Sequence, residues 1–389
     1  MKKIRNIKLL FFSTISVLFL LSCSEASGQG TITMVVSGSV HGQLDPCGWK
    51  KNPLGGLSRK LVGVNELKKK GLDPIILDAG DLFFSTPEIT VNNRKSEIFR
   101  AKAILEGYEK IGCDLLNIGK YELAAGMPFL KDIMTSTQIP LISANIRDSK
   151  TGKLIFRPYS ILERNSLRIG IIGLTNVQSS EKNGFSVDDY KIAGNKYIKQ
   201  LKSQVDIIAL LINADRSTQQ KLLKDFPDAH FIYVSGSTHL TRPSNAQNDG
   251  GPYVYSFGKQ GKYMTVITAN ISDSKQKLVD VSGYESKIKS INRRFDRLQK
   301  KDPGKSLEDI YSNQGNVLQL IEQYKSDLKE AKHSIQSAVN TIKFELLPLD
   351  RKVRDDTEML AFVDKTIATC KSLIVKNPNT ESHKHGHSH

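Results

Sequence analysis

From residue 31 to about 283, short apolar runs alternate with amphipathic stretches. Seven runs have the length and β-branched content of strands: 31–37, 74–77, 115–118, 140–145, 167–174, 205–211 and 230–235. Between them, 57–70, 97–111, 195–203 and 218–224 carry apolar residues at helical spacing. Strand–helix alternation of this kind predicts α/β layers. The later runs 253–257, 264–271 and 278–281 lack intervening helices and read as antiparallel strands. About 250 residues is ample for one large core.

From Tyr284 the period changes. Ile288, Ile291, Phe295 and Leu298 recur at spacings of three and four. Ile321, Tyr324, Leu328, Ala331, Ile335, Ala338 and Ile342 continue the same alternation. Asp302-Pro303-Gly304 separates the two stretches as a turn. The expectation is a helical hairpin, then a short strand over 343–349. A helix capped by Asp355 or Asp356, carrying Leu360, Val363, Ile367 and Cys370, comes last. The hairpin reads as packed on the preceding domain, with a partner-binding coiled coil as the other reading.

The ends read differently. Lys2, Lys3, Arg5 and Lys8 precede an apolar run over 9–21, which is right for a signal segment and short for a membrane span. Leu20-Leu21-Ser22-Cys23 resembles a bacterial lipobox, in which Cys23 is lipidated after cleavage. Residues 1–23 are thus expected to be a lipoprotein signal peptide and 24–30 a linker. The remainder would be lipid-anchored in a bacterial cell envelope, at the outer membrane or the periplasmic side of a membrane. At the other end His383, His385, His387 and His389 alternate within 377–389. They suit zinc or nickel, and a disordered polar tail is the competing reading.

The net charge is +16, and the first 23 residues hold four positive and no negative charges, which leaves +12. Such a charge favours anionic partners such as lipid head groups or phosphates. No zinc-finger, homeodomain or RNA-recognition pattern is present, so nucleic acid is not expected. Beyond Cys23 there are three thiols, which cannot all pair within one chain. Cys113 and Cys370 read as core, and Cys47, in the turn Asp45-Pro46-Cys47-Gly48-Trp49, as the accessible one. Trp49, the only tryptophan, reads as core more readily than as a pocket wall.

Chemistry gathers where the expected strands end, as it does in open α/β sheets. Ser37-Gly38-Ser39-Val40-His41-Gly42 follows the first strand, Leu77-Asp78-Ala79-Gly80-Asp81 the second and Ile118-Gly119-Lys120-Tyr121-Glu122 the third. Asn213 follows the 205–211 run, and Ser235-Gly236-Ser237-Thr238-His239 follows the 230–235 run. In order and spacing these resemble the calcineurin-like metallophosphoesterases, on the branch that includes the bacterial 5'-nucleotidases. Family segments there read Asn-Asp-x-His-Gly, Gly-Asp, Gly-Asn-His-Glu and Gly-His-x-His. Ser143-Ala144-Asn145-Ile146, Ile171-Ile172-Gly173-Leu174-Thr175 and Gly258-Lys259-Gln260-Gly261-Lys262-Tyr263 are similar to further family segments. The resemblance spans about 31–271. It implies a four-layer αββα sandwich over 31–283, followed by the helical region 284–376.

Carried over by position, the resemblance implies a first metal held at Ser39, His41, Asp81 and His239. Only the first has lost its ligand, so His41, Asp81 and His239 remain for one zinc, iron or manganese ion. The second metal would sit on Asp81, Lys120, Asn213 and Ser237, of which only Asp81 is retained and Lys120 adds a positive charge. The family's proton-donating histidine falls on Tyr121, a phenol with an ordinary pKa of about 10, while Glu122 keeps its identity. Two-metal hydrolysis needs both cations about 3.5–4 Å apart. The expectation is therefore a relative with a degraded binuclear site, non-catalytic or holding one metal or none, with a binding or assembly role. A phosphoric ester hydrolase, nucleotides included, using one metal with Lys120 and Tyr121 at the phosphate is the first alternative. A metal-handling protein working through the histidine tail is the second. The family's base-clamping domain is replaced by the helical region, where no aromatic stacking pair is assigned.

Overall fold

The computed structural model describes residues 29–375 apart from 50, 246 and 274. The expected signal segment with Cys23, and the tail with His383, His385, His387 and His389, lie outside the described residues.

In chain order the strands are β1 Gly30–Ser37, β2 Ile75–Asp78, β3 Leu115–Asn117, β4 Leu141–Ile142, β5 Ile146–Asp148, β6 Tyr159–Arg164 and β7 Leu167–Thr175. They continue as β8 Phe185–Val187, β9 Ile207–Asn213, β10 Phe231–Ser235, β11 Tyr253–Ser256, β12 Tyr263–Ile271, β13 Leu278–Asp280 and β14 Asn340–Pro348. The helices are α1 Leu57–Lys69, α2 Arg94–Ile111, α3 Met127–Ser136, α4 Tyr190–Leu201, α5 Arg216–Gln219 and α6 Leu222–Asp225. After them come α7 Val281–Gln299, α8 Leu307–Ile310, α9 Gly315–Ser337 and α10 Thr357–Ser372.

One sheet runs β13-β14-β12-β1-β2-β3-β4, the other β11-β10-β9-β7-β6. Their inner faces meet: Met34, Leu77 and Leu115 pack with Ile169, Ala209 and Tyr233. The outer face of the larger sheet, through Val35, Ile76 and Leu116, is covered by Val64, Ile104, Leu130 and Val363 of α1, α2, α3 and α10. Ile172, Leu210 and Ile232 of the smaller sheet lie under Ile198 and Leu201 of α4. This is the expected αββα sandwich with a C-terminal helical region. Strands β1, β2, β3, β7, β9 and β10 read as apolar runs because both their faces are covered. Each such aliphatic side chain contributes about 2 kcal/mol by leaving water.

Four expectations need correction. The run at 253–257 is not antiparallel: β11 lies parallel to β10, Phe231 opposite Tyr253. Of the 140–145 run only Leu141–Ile142 is strand, as β4; Ser143, Ala144 and Asn145 then turn the chain into β5, which starts at Ile146 and lies in a different sheet. The heptad pattern does not run on to Ile342. Helix α9 ends at Ser337, and Ile342 is a fully buried residue of β14. Nor is the stretch after 283 only an appendage. β14 lies between β12 and β13, antiparallel to the first and parallel to the second. Parallel neighbours need a crossover connection, and α7 with α9 supplies it. Strand β6 and helix α3 also had no counterpart in the sequence pattern.

Asp356 caps α10 by accepting the Met359 N–H at 2.9 Å. Asp355 instead accepts from the Ser58 hydroxyl at 2.6 Å and pairs with Arg59. Cys113 and Cys370 are buried, Cys47 is half-buried, and all three are free thiols.

Candidate functional site

Loops leaving β1, β2, β3, β9 and β10 converge at one edge of the sandwich. The first two are zipped together. Ser39, His41 and Gly42 donate their N–H groups to the carbonyls of Gly80, Asp81 and Leu82 at 2.9, 2.8 and 2.7 Å. That continuation of the parallel pairing bends the backbone. Ser39, His41 and Asp81 take φ of 52°, 55° and 60°, a left-handed region in which non-glycine residues are uncommon. Strain of about 1 kcal/mol or more per residue persists only where the surroundings over-determine it. These are three of the four positions assigned to the first metal. At Ser39 the hydroxyl now accepts the Gly236 N–H at 3.0 Å.

Glu122 locks the second loop to the third. Its two carboxylate oxygens accept N–H groups from Asp81 (2.8 Å), Leu82 (2.6 Å), Phe83 (3.2 Å) and Gly119 (2.9 Å). Burial pushes its pKa up and the Asp81 charge adds to this, while the N–H donors pull it down. Gly119 is required by close approach: a Cβ there would lie 2.7 Å from the Asn213 side chain and 2.8 Å from the Asp81 carboxylate.

Asp81 and Asn213 spend themselves on the backbone of the Lys120–Tyr121 turn. Asp81 Oδ1 accepts the Tyr121 N–H and Asn213 Oδ1 the Lys120 N–H, both at 3.0 Å. Asn213 Nδ2 donates to Ser235 Oγ at 2.8 Å. Burial raises the pKa of Asp81, opposed by its bonds to Tyr121 and Asn213. The His41 ring stacks on Tyr121, centroids 4.4 Å apart and planes 14° from parallel. Burial, and then the charge of Lys259, hold the His41 imidazole at a pKa of about 4. It is neutral at physiological pH. Burial and the charge of Asp81 raise the Tyr121 phenol, which stays a hydrogen-bond donor.

A cavity of about 470 Å³ opens here, bordered by His41, Asp81, Lys120, Tyr121, Asn213 and Ser237. Six residues singled out in the sequence thus share one space. Ser39 is buried beside it and does not line it. His239 does not line it either and is exposed. Its N–H is taken by Ser237 Oγ at 3.3 Å and its carbonyl by the Gly258 N–H at 2.7 Å, which fixes that turn. Among the described residues no three His, Cys, Asp or Glu side chains gather so as to hold a metal ion. Of the expected trio, His41 and Asp81 line this cavity and His239 does not.

The opposite wall was missed in the sequence. Asn176, Val177 and Gln178 follow β7, and Asp215 follows β9. The strand-end rule that found Asn213 would have found them. Hydrogen bonds from Ser217, Thr218 and Asn176 hold Asp215 well below the usual carboxylate range. Trp49 corrects another expectation: it is 86% exposed and belongs to neither the core nor this wall. Its loop is pinned at the base by the backbone pairing of Cys47 with Leu54.

No family profile matches the chain. It is 30% identical over 117 residues to the 5'-nucleotidase of Vibrio parahaemolyticus, covering 30% of this chain and 20% of that protein. The solved 5'-nucleotidase precursor from Thermus thermophilus aligns with a TM-score of 0.61 at 17% identity, over 88% of this chain and 59% of that one. The calcineurin-like phosphoesterase YfkN from Bacillus subtilis aligns with a TM-score of 0.59 at 15% identity, over 90% and 100% of the two chains. The chain spans about a fifth to a half of the length of the curated relatives it matches.

Proposed function

Starting from a chain of calcineurin-like metallophosphoesterase fold, 5'-nucleotidase-like in sequence, we propose that it binds a phosphate ester in the strand-end cavity without two-metal hydrolysis. The observation that carries this reading is the make-up of the cavity. Where the family presents second-metal ligands, this chain presents Lys120, Asn213 and Ser237, and the latter two are engaged with protein atoms. Proteins of this fold are typically dependent on divalent metals, which polarise the phosphoryl oxygen and generate hydroxide. Here the Lys120 ammonium supplies the positive charge instead, as lysine does for phosphate elsewhere. The protonated Tyr121 phenol is a donor beside it, and neutral His41 adds no charge to repel the lysine.

The same reading extends to location. The basic head, apolar run and Leu20-Leu21-Ser22-Cys23 support a lipid anchor in the cell envelope. Mass spectrometry of the membrane fraction should find Cys23 as the acylated first residue. An unacylated mature chain overturns that part.

The binding claim is tested on protein lacking residues 377–389, as wild type, Lys120→Ala and His239→Ala. Metal per chain, turnover of an aryl phosphate and calorimetric binding of adenosine monophosphate are measured. Less than one metal, no turnover, and nucleotide binding weakened roughly tenfold or more by Lys120→Ala are expected, the loss of a charged hydrogen bond. Two metals per chain with turnover would overturn the proposal. One metal, with turnover lost in His239→Ala, would instead favour a mononuclear hydrolase.

A further inference from the structure

Helix α7 and the turn after it, residues 281–301, carry seven Lys or Arg and two acidic residues. They divide by face. Lys287 pairs with Asp327 of α9 at 3.4 Å, and Arg294 donates to the Tyr324 hydroxyl at 2.6 Å with its guanidinium over that ring. Those two hold the hairpin together. Lys289, Arg293, Arg297 and Lys301 recur every four residues and form a separate ridge. The first two face a groove of about 680 Å³ between α7 and β14, and across it stand Arg242 and Lys343.

Of these four cations only Lys343 has an ion pair among the described residues, with Glu345 at 3.8 Å. Solvated lysines on a convex face repel one another little. Cations gathered around one concavity repel more, and an anion placed among them relieves all of them at once. Two guanidiniums add a geometric preference, because each fork matches two oxygens of a phosphate. The carboxylates of Glu285 and Glu345 also line the groove. They would meet an unbroken polyanion such as a nucleic-acid strand with repulsion. A compact ligand with its charges clustered fits better, with Leu347, 38% exposed, beside its uncharged part.

We propose that the groove between α7 and β14 is a second anion site, taking a compact, multiply charged phosphate compound. It shares no lining residue with the strand-end cavity, so it stands independently of the function proposed above. The loop after β10 joins them, since Ser237 and Thr238 border the cavity and Arg242 and Ser244 the groove.

The test uses the full chain in a Lys120→Ala background, so that the cavity does not contribute, and inorganic pyrophosphate as the probe. Calorimetry should show about one pyrophosphate bound per chain, weakening as salt is raised. Adding Arg242→Ala and Arg293→Ala should weaken it at least tenfold, roughly the loss of one bidentate contact or more. Both arginines are exposed, so an unchanged unfolding midpoint should confirm that the variant is folded. Pyrophosphate bound equally well without the two arginines overturns the proposal, and so does no binding in the Lys120→Ala protein. Vesicles containing phosphatidylglycerol are the second arm. Binding to them without binding to pyrophosphate also overturns it, because the cations then meet a surface and not a compact ligand.

Discussion

Glu122 serves four backbone donors with two oxygens, and an amide in its place could not. Glu122→Gln keeps one acceptor and turns an NH₂ towards two N–H groups, leaving buried donors unpaired. The expected cost is about 3 kcal/mol or more, read from urea denaturation, and a loss below about 1 kcal/mol would mean that this clasp is not needed. His41 gives a pH signature. Its imidazole takes a proton near 6.5 when unfolded and near 4 when folded, so between those values the unfolded chain binds more protons. Stability from this group therefore rises with pH across that window and is lost as pH falls through about 4. In metal-free protein, the stability advantage of wild type over His41→Gln should widen from acid to neutral pH. A gap that does not move with pH would show that the ring is not desolvated. Lys60 is the third case: it donates to Ser37 and Tyr108, which also bind the buried Asp78 carboxylate. Lys60→Met should cost about 3–5 kcal/mol by leaving that charge uncompensated, and adding Asp78→Asn should restore part of it.

At the level of elements, the parallel strands were legible because burial on both faces writes an uninterrupted apolar run. Strand β6 was not, since most of its residues are only half-buried and the alternation is blurred. The direction of β11 was hidden for a different reason: period two encodes a strand and not its partner. Ile342 extended the heptads by coincidence of spacing, although it belongs to β14. That strand has a testable consequence. A chain stopped at residue 283 loses β14, uncovers the nine-residue edge of β12 and leaves β13 unpaired. Exposed edges of that length invite aggregation. Such a chain should be insoluble or lack a cooperative thermal transition in circular dichroism, and a sharp transition would make the helical region a true appendage.

Across the whole molecule, the metal question reduces to whether three donors meet. With His239 outside the cavity, chelator or millimolar zinc should move the unfolding midpoint of protein lacking 377–389 by no more than about 1 °C, because a ligand that does not bind the native state does not stabilise it. A rise of several degrees with zinc would mean that His239 swings inward. The order of the four layers was implied by the family resemblance. The α/β character and the residues at the strand ends could be read from the chain alone, since both depend on local period and on where apolar runs stop. Six of the residues found in that way do border one cavity. The uses to which they are put could not be read. That Asp81 and Asn213 bind backbone N–H groups, that His41 lies flat on Tyr121 and that His239 is turned out are set by hydrogen bonds and packing between loops far apart in sequence. Side-chain identity sets what a residue is able to bind, and the conformation of neighbouring loops decides what it does bind.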